Sequence, residues 1–581
     1  MTISLHGLGV SRGVAIGKAH ILERGQIEIP EYGIPPEGVA EEHLRFRNAL
    51  MMARQQLRAI REHVPRGTAA DIAAFIDTHL LMLDDLSLSQ EPIRIIAERR
   101  CNAEWALKLQ RDALVAVFNE MDDPYLRTRK DDVDHVVNRI QRVLLNHAPL
   151  RHEVPDNRLR GYIILADDLT PADTVLMQHH GIAGFVTEYG GPTSHTAILA
   201  RSFEIPSIVG LHHARRYVRE DDLIIVDGAR GVVVVDPDAE TRSHYRGVSD
   251  AERAHYHELR KLKGEAAVTR DGVRIRLEAN IELPQDYDAV LGVGADGVGL
   301  YRTEYLYMNR ETPPDEEEQF ARYSEVLSVL NGLPITIRTL DLGADKPIEG
   351  RGAGPTAANP ALGLRAVRWC LKDPGIFLPQ LRAILRASAL GPLRLLIPML
   401  SSLQELAQVQ ALIEEMRAEL RGQGLAYDPE MPIGGMIEVP AAAVCADLFA
   451  RELDFLSIGT NDLIQYSIAI DRVNEAVSYL YDPVHPGVLR LIRGTIEAAV
   501  ANNKPVAMCG EMAGDLRYIR LLLGLGLREF SVHPTMLLEI KRVIKDTRID
   551  ASEPAAQRLL RGAGSGDMAA ELERLNAGIA C

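Results

Sequence analysis

No apolar run in the 581 residues approaches the roughly 18 that a membrane-spanning helix needs, so the chain is not expected to cross a bilayer. The opening residues, Met1-Thr-Ile-Ser-Leu-His-Gly, lack the basic head, apolar middle and small-residue cleavage site of a secretory leader, which points to the cytoplasm. Cysteine is sparse. The five present (Cys101, Cys370, Cys445, Cys509, Cys581) form no close pair of the zinc-binding kind, and their odd number argues against a disulfide framework. A basic excess is missing too: 65 Lys and Arg stand against 81 Asp and Glu, a net charge of −16, which disfavours nucleic acid as a ligand. The same field would speed encounter with a basic protein partner.

What is present divides into sections of different period. At roughly one domain per 100 to 200 residues, the length calls for several units. From about Ala40 to Leu145 the pattern is helical: Leu50, Ala53, Leu57 and Ile60 share one face, as do Val133, Val136, Ile140 and Leu144. This bundle, interrupted at Pro65-Arg-Gly and Asp123-Pro, reads equally as a plain scaffold or as a docking unit. From about Arg160 to Pro237, β-rich runs (Tyr162-Ile-Ile-Leu, Gly184-Phe-Val-Thr, Leu223-Ile-Ile-Val, Gly231-Val-Val-Val-Val) alternate with short helical stretches, the pattern of a compact α/β domain. The Gly-punctuated residues from Gly9 to Lys18 could add a strand to it, which would make the helical unit an insertion.

After a charged helical stretch, Ala239 to Lys263, short apolar strands recur between amphipathic helices almost to the end. The expected strands are Arg274–Leu277, Gly297–Leu300, Ile335–Ile337, Ala361–Leu364 (the weakest), Leu395–Ile397, Gly435–Ile437, Phe455–Ile458 and Val506–Met508, with Phe530–Val532 left over. Such alternation predicts a (β/α)8 TIM barrel, with an open doubly wound sheet as the other solution.

Barrel chemistry gathers where strands end. The residues there are Asn280, Arg302, Arg338, Arg365, Glu438, Asn461, Asp462 and Cys509, with Arg472 in the same loop region as Asp462. Several arginines in one mouth imply a polyanion, and guanidinium forks suit a small phosphorylated acid. Glu438 and Asp462, on neighbouring strand ends, suit a hard divalent cation, magnesium first and manganese second; the alternative is that they only neutralise the arginines. The Cys509 thiol reads either as a proton donor in the mouth or as inert packing. Far earlier, Gly190-Gly-Pro-Thr-Ser-His-Thr-Ala-Ile-Leu-Ala-Arg201 places His195 in a turn at a helix start, where backbone N–H groups could hold a phosphate added to the imidazole.

Those segments resemble the enzyme I family of the bacterial phosphoenolpyruvate:sugar phosphotransferase system, over essentially the whole chain. The Gly190–Arg201 segment resembles the family's phosphohistidine motif. Gly299-Leu-Tyr-Arg-Thr-Glu-Tyr-Leu-Tyr and Ile337-Arg-Thr-Leu-Asp-Leu-Gly-Ala-Asp-Lys resemble its phosphate-binding strand ends, and Asp454-Phe-Leu-Ser-Ile-Gly-Thr-Asn-Asp-Leu-Ile-Gln-Tyr its metal loop. The resemblance implies an α/β multidomain protein: a swivelling phosphohistidine domain (1–30 and 150–238), an inserted helical domain that docks the phosphocarrier HPr (31–149), a linker helix (239–264), and a phosphoenolpyruvate-binding and dimerising barrel (265–581). It implies a phosphotransferase that moves the phosphoryl group of phosphoenolpyruvate to His195 and on to HPr, as the first step of sugar uptake. It assigns Arg302, Arg338, Asn461, Arg472 and nearby Arg365 to phosphoenolpyruvate, Glu438 and Asp462 to magnesium, Cys509 to protonation of the enolate, and Thr174 to a hydrogen bond with the histidine. Pro192 departs from the motif, standing where many relatives carry arginine. The rival readings are a dikinase or synthase-like phosphoenolpyruvate enzyme, which needs an ATP-binding domain that the sections above leave no room for, and a regulatory paralogue, expected to have lost reacting residues.

Overall fold

A computed structural model describes residues 2–22, 29–63, 70–120, 124–145, 159–167, 169, 181–189, 197, 200, 205–284, 286–307, 312–343, 359–471, 477–561 and 565–577. Its chain falls into two compact units, Met1–His255 and Tyr256–Cys581. No described helix is long and apolar enough to cross a membrane.

The first unit holds an eight-stranded sheet and a group of helices. The strands are β1 (Ile3–His6), β2 (Leu8–Ser11), β3 (Val14–Leu22), β4 (Ile163–Ala166), β5 (Gly184–Thr187), β6 (Ser207–Val209), β7 (Leu223–Asp227) and β8 (Val232–Val235), in the order β1-β8-β7-β3-β4-β5-β6-β2. The opening residues thus supply three strands. Strands β3 and β4 lie side by side in parallel, Ala19 opposite Ile163, although all the long helices between Val39 and Leu144 separate them in sequence. The helical section is therefore inserted into the sheet. Its periodic stripes are what hold it together: Ala53, Leu57, Ile60, Val133, Val136 and Ile140 are all buried.

The second unit is a closed barrel of eight parallel strands: β9 (Arg276–Ile281), β10 (Val298–Tyr301), β11 (Ile335–Arg338), β12 (Leu393–Ile397), β13 (Ile433–Ile437), β14 (Phe455–Ile458), β15 (Val506–Met508) and β16 (Glu529–Val532). Strand β16 pairs with β9, Phe530 opposite Leu277, which closes the ring and rules out the open sheet. Parallel strands covered on both faces read as unbroken apolar runs, and all four residues of β14 are buried. The crossover helices are set by ordinary local signals. Ser402 and Glu405 form a reciprocal capping box, and behind it Leu406, Val409, Ile413, Met416 and Leu420 face the core.

Two strand expectations are corrected. Residues Ala361–Leu364 form no strand: Pro360–Leu362 is a 3-10 turn and Leu362 is 64% exposed. A proline without an N–H and a glycine at 363 interrupt a run too short to be covered on both faces. The leftover candidate around Phe530 is the eighth strand. Consequently Cys509 follows the seventh strand rather than the last, and Asn280 lies inside β9 rather than beyond it.

Candidate active site at the barrel mouth

The C-terminal ends of the parallel strands deliver Arg302 (after β10), Arg338 (the last residue of β11), Glu438 (after β13), Asn461 and Asp462 (after β14) and Cys509 (after β15) to one mouth. Arg365 arrives differently. It caps helix Ala366–Lys372 and bridges to Gly343 in the loop beyond β11.

The side chains form a continuous charge network. Arg338 donates from Nη2 to Glu304 Oε1 at 2.9 Å, and its Nη1 lies 3.0 Å from Asp341 Oδ2. Arg365 Nη2 donates to Asp341 Oδ1 at 2.8 Å and to Asp462 Oδ2 at 3.3 Å. Donor oxygens of Asp341, Glu438 and Asp462 all lie within 4.8 Å of one another. The guanidinium groups of Arg338 and Arg365 thus pair with Glu304, Asp341 and Asp462, and Glu438 lies beside the last two. These arginines are not short of countercharge, as the sequence alone suggested. Among the described residues, the carboxylates of this network outnumber the guanidinium groups of Arg338 and Arg365. Asp341, Glu438 and Asp462 bring three hard oxygen donors together, a donor set that could hold a magnesium-type cation.

Electrostatics follow from this crowding. Burial would lower the Arg338 and Arg365 pKa values, but the adjoining carboxylates outweigh it and hold both higher than usual. Burial, with Asp341 and Asp462 close by, pushes the Glu438 carboxyl well above its ordinary range, although its Oε1 accepts a 2.7 Å hydrogen bond from the Met399 N–H. Gly459 gives this carboxyl room: a β-carbon there would sit 2.6 Å from Glu438 Oε2 and the carboxylate would have to shift.

Cys509 points into the barrel among Leu300, Leu396, Met436 and Phe455. Ser457 Oγ lies 3.3 Å from its Sγ, and the Asn280 amide donates to its carbonyl at 3.1 Å. Burial raises the thiol pKa, so the sulfur keeps its proton at neutral pH. Asn461 exchanges two hydrogen bonds with Glu511, Nδ2 to Oε1 at 3.1 Å and Oδ1 from the backbone N–H at 2.8 Å, which ties the loops after β14 and β15 together. Arg302 is more open than Arg338 or Arg365, 40% exposed and 3.9 Å from Glu282.

Asp341, Glu304, Ser457 and Tyr466 were not singled out from sequence. Asp341 and Glu304 stand three and two residues beyond Arg338 and Arg302 in segments already conspicuous, which was the available signal. Tyr466 accepts from Arg365 Nη1 at 3.3 Å and donates to the Ala361 carbonyl at 2.6 Å, and burial pushes its hydroxyl up to about 12. His195, Thr174, Arg472 and Pro192 lie outside the described residues. Ala197 and Ala200, just beyond His195, are buried in an apolar cluster with Val10, Ile164 and Phe185.

Three family profiles match this chain: the PEP-utilising enzyme N-terminal profile over residues 6–129, the mobile-domain profile over 159–231, and the PEP-binding-domain profile over 256–549. The phosphoenolpyruvate-protein phosphotransferase of Cupriavidus necator is 47% identical over 583 residues, covering 99% of this chain and 100% of its own. That of Bacillus subtilis is 41% identical over 558 residues, 96% of each. Among solved structures, an NMR solution structure of an Enzyme I (nEIt) protein is 33% identical and covers 43% of this chain and 99% of its own, with a TM-score of 0.38.

Proposed function

This chain belongs to the phosphoenolpyruvate-protein phosphotransferase family of PEP-utilising enzymes, and from that membership we propose that His195 is the residue phosphorylated and that HPr is the protein that receives the phosphate. The observation that carries the reading is the barrel mouth, where arginines and carboxylates converge at the strand ends.

In the reaction, Arg302, Arg338, Arg365, Arg472 and Asn461 hold phosphoenolpyruvate by its phosphate and carboxylate oxygens. Glu438 and Asp462 would hold magnesium, with Asp341 within reach, and the ion when bound offsets charge on the phosphate. Neutral His195 attacks phosphorus through Nε2, the bond from phosphorus to the enolate oxygen breaks, and Cys509 gives its proton to the enolate carbon to make pyruvate. A thiol held above its usual pKa by burial suits that step, since it is still protonated when the enolate forms. Thr174 would orient the imidazole.

The phosphohistidine domain (1–30 and 150–238) must then swivel, on the linker at 239–264, between the barrel (265–581) and the helical domain (31–149) where HPr docks. The mobile-domain profile over 159–231 supports that motion. Exposed apolar side chains on the helices, among them Leu44, Leu81 and Leu86, support docking there. We place the enzyme in the cytoplasm as a homodimer through the barrel, serving sugar uptake. Neither the dikinase nor the regulatory reading has an observation in its favour.

The test is incubation with labelled phosphoenolpyruvate, with and without HPr, for the native protein and for His195→Ala. Acid-labile, base-stable label should appear on the native enzyme, pass to HPr, and be absent from the variant. Label retained at another residue would sink the assignment.

A further inference from the structure

Among the described residues, two groups bring three ligand-type side chains together with their donor atoms within 4.8 Å. One is the barrel mouth; the other is His79, Asp132 and His135, in the inserted helical section. His79 belongs to helix Ala70–Asp84, whereas Asp132 and His135 stand three apart, on one face of helix Pro124–Leu144, which packs against it. His79 lies on the buried stripe of its helix, three residues after Ile76 and four before Leu83, both fully or nearly fully buried.

The geometry is that of ligands around a shared point. His79 Nε2 and Asp132 Oδ1 are 3.6 Å apart, long for a hydrogen bond and close to the roughly 3.3 Å edge of a tetrahedron with zinc-to-ligand bonds of about 2.0 to 2.1 Å. The two imidazole rings lie close, with centroids 6.2 Å apart and planes tilted at 52°. Asp132 retains 15% exposure, so its carboxylate is still reached by solvent.

We propose that His79, Asp132 and His135 form a binding site for one first-row divalent cation of the zinc type. Two neutral imidazoles and one carboxylate select such an ion over magnesium, which prefers an all-oxygen shell like that at the barrel mouth. The protein therefore carries two cation sites of opposite hardness. The zinc-type ion clasps two helices of the insertion, so its binding stabilises that section without taking part in phosphoryl transfer.

The full-length protein, stripped of metal and kept in excess magnesium to occupy the barrel site, is titrated with zinc chloride. The native chain should retain one more zinc equivalent after desalting than the double variant His79→Gln/His135→Gln, and Asp132→Asn should bind at least about tenfold more weakly. Zinc-edge X-ray absorption of the native protein at one equivalent should give a shell of nitrogen and oxygen with imidazole scattering, a readout independent of how the variants fold. Equal zinc retention and affinity in native and double-variant chains overturns the proposal. So does sulfur in the shell, which would place the ion on thiols, or no zinc binding by the native chain, which would leave His79 and Asp132 an ion pair only.

Discussion

At the scale of single residues, the proposed mechanism gives Cys509 a task different from that of the charged side chains around it: they hold charge, and it moves a proton. Cys509 sits among apolar side chains, with its carbonyl fixed by Asn280. On the proposed mechanism, replacing it with Ala removes a proton donor that acts after substrate is held. We expect kcat to fall by about 10²- to 10⁴-fold while KM changes little. A raised KM with unchanged kcat in steady-state kinetics would make Cys509 a packing residue. Asp462 has two tasks, pairing with Arg365 and facing Glu438 and Asp341. Asp462→Asn should raise the magnesium concentration for half-maximal activity at least about tenfold. Unaltered activity in a magnesium titration would reassign the carboxylate to balancing Arg365.

Among the elements, the loop from β14 into helix Thr460–Ile468 is the most tightly specified part of the site. Gly459 gives Glu438 its room, and Asn461 locks the loop to Glu511 beyond β15. Gly459→Ala would drive a methyl group against the Glu438 carboxylate. The expected results are a loss of about 1 to 3 kcal/mol in stability and a raised magnesium requirement, with the barrel still folded. Circular dichroism melts paired with magnesium titrations check this: an unchanged requirement would show that Glu438 moves aside at no cost to the site. The barrel elements were readable because each strand is an apolar run between amphipathic helices. Residues 361–364 misled because a short apolar string is the same whether it is covered or not, and Leu362 is exposed.

For the whole molecule, the compact units Met1–His255 and Tyr256–Cys581 allow the proposed labour to be divided experimentally. Helix Ala239–Lys261 runs across that division and Leu259 packs in the barrel core, so both fragments should keep it: residues 1–264 and 239–581. Each should fold. The first should accept phosphate backwards from phosphorylated HPr yet ignore phosphoenolpyruvate, because it carries His195 but none of the arginine mouth. The second should bind phosphoenolpyruvate with magnesium and release no pyruvate, lacking the nucleophile. Mass spectrometry of the first fragment after exposure to each donor decides it: phosphorylation by phosphoenolpyruvate would mean that the barrel is not the donor site.

Much of this was fixed locally. Hydrophobic period determined the helical stripes through Leu57 and Ile140 and the barrel strands, since burying such faces is the main driving force available to the chain. The same periodicity, with the Gly-punctuated start, already hinted that the helices interrupt a sheet. Which strands pair was not local. That β3 lies beside β4 across the helical section, and that β16 rather than residues 361–364 closes the barrel, depends on backbone hydrogen bonds between segments far apart in sequence. The site divides in the same way. Arg302, Arg338, Glu438, Asp462 and Cys509 were legible because strand ends converge by topology. The roles of Asp341 and Glu304 were not, because a carboxylate's partner is chosen by where its loop turns back. Likewise nothing in the spacing of His79, Asp132 and His135 announces a shared site; only the packing of two helices puts their nitrogens and oxygen within reach of one ion.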